Sequence, residues 1–248
     1  MQIGSGFTHF NREQSALDFL SHPADLAHVH HTGFAVSYGF PFQLQSLNHY
    51  SVSTVFPFKS IKLGTAFSAV GKEVYRETTF SLGGGYSIGD NMSFGILING
   101  HELSIRNYGS DRTVGIVASV NYSFTKSMQW SLLYRNLNSP KLGVSREPLP
   151  QVVATVFGFS PTPSLLAAVE LERDLEFESR YKFGIRWQPI EALRVATGFV
   201  SHPTQVTAGI SLQVKGLFSI SLGKISYAIV THPELAISQV FALHVTLP

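Results

Sequence analysis

Ionisable side chains are scarce in this chain, so the places where they gather are informative. Glu170 and Glu172 share one parity of an alternating segment, and Lys182 and Arg186 share the same parity of the next, with Arg194 and Arg135 as candidates to join them. Carboxylates facing ammonium and guanidinium groups across neighbouring strands form a structural ion-pair ladder more often than an acid–base pair. His22, His28, His30 and His31 form a second cluster, with Asp25 the only carboxylate at a suitable spacing. A metal centre needs three or four converging ligands and a supporting outer layer, so these histidines read as a polar junction and no metal or other cofactor is expected. Nucleophilic catalysis would need a serine in a Gly-x-Ser-x-Gly turn with a base and an orienting group. Its match here, Gly85-Tyr86-Ser87-Ile88-Gly89, ends an alternating segment at a turn and is not a strand-to-helix elbow, and the histidines lack a recognisable Ser/Asp context, so the chain is not expected to be an enzyme.

The elements that position these groups repeat every second residue. In RYKFGIRWQP, Tyr181, Phe183, Ile185 and Trp187 fall on one parity, and Arg180, Lys182, Gly184 and Arg186 on the other. A period of two is the signature of a β-strand, whose successive side chains point to opposite faces. The same alternation recurs in Phe34 to Phe42, Phe80 to Tyr86, Ile116 to Phe124 and Val206 to Val214, with turn residues such as Gly89-Asp90-Asn91 and Thr125-Lys126-Ser127 between segments. About fourteen strands result. A change of parity at Gly223 predicts a β-bulge.

Which face meets water follows from composition. Charged residues make up 14% of the 248 residues, against about 25% in an average soluble domain, while aromatics reach 12%. The less apolar face of each segment is built from Gly, Ser, Thr and Ala, where a solvated exterior would carry Lys and Glu. The small face therefore looks inward and the bulky face outward, which is tolerable only in lipid. No apolar run reaches the roughly 20 residues of a membrane helix. The expected fold is all-β: a closed antiparallel transmembrane β-barrel of about 14 strands in the bacterial outer membrane. Tyr181, Phe183, Ile185 and Trp187 are then lipid-facing, and Glu170, Glu172, Lys182, Arg186 and Arg194 form a charged ladder in the lumen. The competing reading is a soluble β-barrel or sandwich with the bulky face as its core. A net charge of +2 with scattered basic residues gives no footprint for nucleic acid, and the lack of cysteine excludes disulfides and thiolate metal sites.

Residues 1–32 lack the strand pattern. The stretch MQIGSGFTHF has no basic region followed by an apolar one, so it is not a signal peptide and the chain reads as mature. Asn11 is a suitable N-cap for a short helix from Arg12 to Leu20, which Pro23 would stop. A fourteen-stranded barrel has a lumen too wide for small side chains to fill. The domain reading is thus a plug over 1–32, with Ala16, Leu17, Leu20, Pro23, Ala24 and Leu26 inside a barrel formed by 33–248.

REQSALDFLSHPADLA (residues 12–27), followed directly by the first strand, resembles the N-terminal region of the long-chain fatty-acid transporter (FadL) superfamily. In that superfamily an Asn-Pro-Ala core precedes a fourteen-stranded barrel; here His22-Pro23-Ala24 takes its place. SYAIVTHPELAISQVFALHVTL (residues 226–247) is similar to the PorV/PorQ branch, whose last two strands are joined by a His-x-Glu-Leu-Gly turn, with Ala236 in place of that glycine. The PorV-like end and the shortness of most outward loops, with 139–149 the longest, imply a non-enzymatic accessory or scaffold subunit of an envelope or type IX-like secretion assembly. Its partners would be outer-membrane lipid and other envelope or secretion proteins. The fatty-acid-transporter resemblance implies the alternative, passive passage of a hydrophobic small molecule.

Overall fold

The computed structural model describes residues 16–143, 145–175, 178–217 and 220–247, without the side chains of 215–217, 220 and 221. Among them, strands β1 (Gly33–Phe40), β2 (His49–Phe58), β3 (Ile61–Gly71), β4 (Tyr75–Ile88), β5 (Met92–Ile105), β6 (Gly109–Ser123) and β7 (Met128–Arg135) are followed by a small hairpin, β8 (Lys141–Leu142) and β9 (Glu147–Pro148). The chain continues through β10 (Val152–Thr162), β11 (Leu165–Asp174), β12 (Arg180–Ile190), β13 (Leu193–Val200), β14 (Gln205–Leu217), β15 (Ile220–Val230) and β16 (Ser238–Thr246). Apart from β8 and β9, which pair only with each other, each strand pairs with its barrel neighbours and β1 pairs with β16, so fourteen described strands close into one antiparallel barrel. Closure leaves no strand edge, which satisfies the backbone groups inside a bilayer.

The bulky face is outward. Phe34, Phe80, Leu82, Tyr86, Ile210 and Leu212 are exposed on the wall, while their neighbours Ala35, Ser81 and Ser211 are buried. This orientation overturns the soluble alternative, in which the bulky residues would be core. The chain is a transmembrane β-barrel of the outer-membrane type, and its exposed apolar wall is its lipid surface. Short turns such as 89–91, 124–127 and 191–192 lie at the end that holds Gly33 and Thr246. The longer connections 41–48, 136–151, 175–179 and 231–237 lie at the other end. By the usual asymmetry of such barrels, the terminal end is periplasmic and the opposite end extracellular.

Three local expectations differ from the structure. Pro23 does not stop a helix but starts one: short 3-10 helices run over Asp18–Leu20 and Pro23–His28, with Pro23 at the first position and His22 as the extended residue before it. A proline suits that position because its missing N–H has no helical partner there and its φ is already helical. Asn11 and Arg12, and the stretch MQIGSGFTHF, lie outside the described residues. The pairing of β15 runs through Gly223 without a shift on either side, Gly223 opposing Val214 and Val245, so no bulge forms. Leu222 takes the inward parity at the end of the strand, where apolar side chains can pack without breaking the register. The register shifts lie instead beside two periplasmic turns, between Phe159 and Thr162 and between Trp187 and Ile190.

Candidate functional site: the barrel lumen

The N-terminal segment crosses the lumen and packs on the wall. Ala16, Phe19, Leu26 and Val29 form one apolar cluster with the inward side chains Val55, Ala66, Leu97, Val117, Leu133 and Ala154. Of the expected interior residues, Ala16, Pro23, Ala24 and Leu26 are buried, and Leu17 and Leu20 are half-buried against that cluster. A floor of small residues receives them. Gly64 opposes Gly83 on β3 and β4, and Gly85 opposes Gly95 on β4 and β5. A Cβ on Gly85 would lie 2.6 Å from Leu26 Cβ, and one on Gly64 would lie 2.9 Å from Leu26 Cδ2. Beyond Gly95, on β6, Ser119 accepts a hydrogen bond from the Ala24 N–H at 2.7 Å. Two residues further along β6, the Asn121 amide donates to Asp25 Oδ1 at 3.0 Å. His22 is fully buried, its Nδ1 3.8 Å from Asp25 Oδ1. Where the described part of the segment begins, the Ala16 N–H donates to His244 Nδ1 at 3.3 Å. The inward glycines were visible in the sequence; which of them pair into a seat depends on register.

The ion-pair ladder has a definite composition. Lys182 Nζ lies 2.9 Å from Glu170 Oε1 and 2.6 Å from Glu172 Oε2, all three side chains being buried, and Arg180 Nη1 reaches Glu172 Oε1 at 3.4 Å. Arg186 sits nearer the periplasmic end, opposite Leu166, where its charge interacts with Asp18 and Asp25 of the inner segment. Arg194 donates to Gln188 Oε1 at 2.8 Å. On the other parity, Tyr181, Phe183, Ile185 and Trp187 are about half exposed on the outer wall, at 47 to 51%. The remaining histidines divide. All three are exposed, but His28 Nε2 lies 3.3 Å from Ser93 Oγ, while His30 and His31 stand beside β1.

A cavity of about 380 Å³ opens above the inner segment. Its floor is Leu17, Leu20 and Ser21, and its wall combines Val240 and Ala242 with a belt of hydroxyls. The register aligns this belt. Ser37 opposes Ser51, Ser51 opposes Ser68, Ser68 opposes Thr79, and Thr79 opposes His101. In the other direction Ser37 opposes Ala242, which opposes Ser226, which opposes Ser211. Hydrogen bonds run along it: Ser37 to Ser51 at 2.6 Å, Ser226 to Ser211 at 2.9 Å and Thr79 to His101 Nδ1 at 3.0 Å. In the sequence these serines belong simply to the small face, since a belt exists only once eight strands are in register.

The extracellular rim is modest. The hairpin β8–β9 leans on β6, where the Gly143 N–H donates to Asp111 Oδ2 at 2.8 Å. In the connection 231–237, His232 Nδ1 accepts from the N–H groups of Glu234 and Leu235, each at 3.2 Å. The histidine of the His-x-Glu-Leu motif therefore closes its own turn.

No family model matches the chain, and no curated protein matches it in sequence. Solved structures match over nearly its full length. They include the toluene transporter TbuX of Ralstonia pickettii (TM-score 0.69, 10% identity, over 100% of this chain and 97% of the other). The monoaromatic hydrocarbon channel CymD matches at TM-score 0.69 and 12% identity, over 96% and 93% of the two chains. A FadL homologue of Pseudomonas aeruginosa matches at TM-score 0.65 and 10% identity, over 99% and 97%. At such identities the likeness is one of fold: the chain shares the barrel architecture of these proteins.

Proposed function

We propose that the chain is a non-enzymatic channel of the bacterial outer membrane through which small hydrophobic molecules pass passively, with the segment up to Thr32 as its plug. The cavity above that segment carries the reading. Its 380 Å³ falls within the range of small-molecule pockets, about 300 to 1,000 Å³, and it opens inside a wall that faces lipid. Likeness of fold to channels for toluene and other monoaromatic compounds supports passage over the scaffold-subunit role. The PorV-like motif lends that role little, because the bonds of His232 explain its histidine locally.

The test is initial uptake of radiolabelled toluene at low concentration by intact Gram-negative cells with and without the protein. Expression should raise the rate several-fold. An unchanged rate, together with a stable envelope partner that co-purifies in mild detergent, would restore the scaffold reading.

A further inference from the structure

We infer that the cavity selects a small uncharged amphiphile, an aromatic or aliphatic body bearing one hydroxyl or comparable hydrogen-bonding group, over a bare hydrocarbon. The inference rests on the channel reading above and names the solute class of its cavity. A hydrocarbon site needs apolar walls, because hydroxyl and amide groups that lose water without gaining a partner raise the free energy of the complex. The larger part of this cavity's lining is apolar, with Leu17 and Leu20 at its floor and Val240 and Ala242 at one side, and would cover the body of a solute. The facing wall, from β1 to β5, presents hydroxyl and amide groups. Several of them retain hydrogen-bonding capacity. Asn99 lines the cavity and accepts from Ser81 Oγ at 2.7 Å through Oδ1, which leaves its Nδ2 without a partner among the described residues. The Ser68 hydroxyl and the His49 ring line the same wall, likewise without a side-chain partner among them.

Charge argues for a neutral solute. The ionisable groups of opposite sign on the cavity lining, Asp18 and Lys224, interact with each other. A carboxylate entering beside Lys224 would have to share its ammonium with Asp18 and would meet that carboxylate as a like charge. A hydroxyl makes no such demand. It can accept from the Asn99 amide and donate to the Ser68 oxygen, while the body of the solute covers Leu17 and Leu20.

Equilibrium dialysis of the full-length protein in nanodiscs, corrected for empty nanodiscs, can be run with three probes that share one ring: toluene, p-cresol and p-toluate. The expected order places p-cresol about tenfold tighter than toluene, since one or two hydrogen bonds at a built site give discrimination of that size or more, with p-toluate weakest. Replacing Ser68 and Asn99 by Ala should reduce the preference for cresol over toluene to under about threefold, mainly through weaker cresol binding. Equal affinity for toluene and p-cresol in the unmodified protein would overturn the inference while leaving the channel reading intact, as would p-toluate binding tightest. Binding of none of the three would overturn both. The comparison of probes on the unmodified protein needs no variant, so it stands even if the double substitution fails to fold.

Discussion

A Cβ placed on Gly95 would stand 2.1 Å from the carbonyl carbon of Pro23 and 2.2 Å from the backbone nitrogen of Ala24. Both obstacles are main chain, and neither can swing aside as a flexible side chain would. The wall of β5 and the inner segment thus touch backbone to backbone, and glycine is the residue that lets them.

Gly95→Ala is therefore expected to unseat the segment rather than the barrel. The alanine methyl would point into a lumen wide enough to hold it, so strand pairing survives, but His22-Pro23-Ala24 must lift away and lose the bond from Ala24 to Ser119. Conductance in planar bilayers should rise several-fold, with heat-modifiable gel mobility retained. Conductance equal to that of the unmodified protein would show that the seat at Gly95 does not hold the segment.

Lys182 holds two buried carboxylates at once, Glu170 and Glu172. Removing one partner of a buried pair costs about 3–5 kcal/mol, because the remaining charge stays buried without that partner. Lys182→Met should lower stability in urea by that amount. Adding Glu170→Gln and Glu172→Gln should recover most of the loss. A triple variant as unstable as the single one would mean that packing of the lysine stem, not charge, was lost.

The alternation of Tyr181, Phe183, Ile185 and Trp187 made the barrel legible in the sequence, because strand parity follows from residue order alone. The strand count was legible for the same reason. The ladder was partly legible: Glu170 and Lys182 are direct cross-strand partners. Arg180 joins it, while Arg186 interacts with Asp18 and Asp25 of the inner segment instead. Sequence order does not say how an independent segment will lie against a wall. The glycine seat was hidden for a related reason. Gly83 and Gly85 alternate visibly, but the pairing of Gly85 with Gly95, and their contact with Leu26 and Pro23, needs the register of β4 on β5 and the path of the inner segment. The change of parity at Gly223 misled because an apolar residue at a strand end, Leu222, can face inward without a bulge.

Ile185 is the middle residue of β12 and 51% exposed on the outer wall. Ile185→Arg should cost about 2–4 kcal/mol if this position meets the centre of the bilayer, read as a lower urea midpoint in lipid vesicles. A stability change below about 0.5 kcal/mol, the size expected of an ordinary surface substitution, would show that Ile185 lies outside the hydrocarbon band.

Leu17 and Leu20 form the apolar floor of the cavity, half-buried against the inner cluster. Replacing both with Ser removes apolar contact from the solute without opening the seat, since Pro23, Ala24 and Leu26 keep their places on Gly95 and Gly85. A fully buried leucine contributes about 1.5–3 kcal/mol, and two half-exposed ones offer a solute on the order of 1 kcal/mol together, roughly a fivefold change in binding. Toluene uptake should fall by about that factor while barrel stability changes little. Removing the hairpin 141–148 is the matched control, because it leans on the rim end of β6 through Gly143 and Asp111 and lines no part of the cavity. Its loss should leave uptake unchanged. The reverse outcome, uptake insensitive to Leu17 and Leu20 but abolished without the hairpin, would move the solute's path from the lumen to the rim.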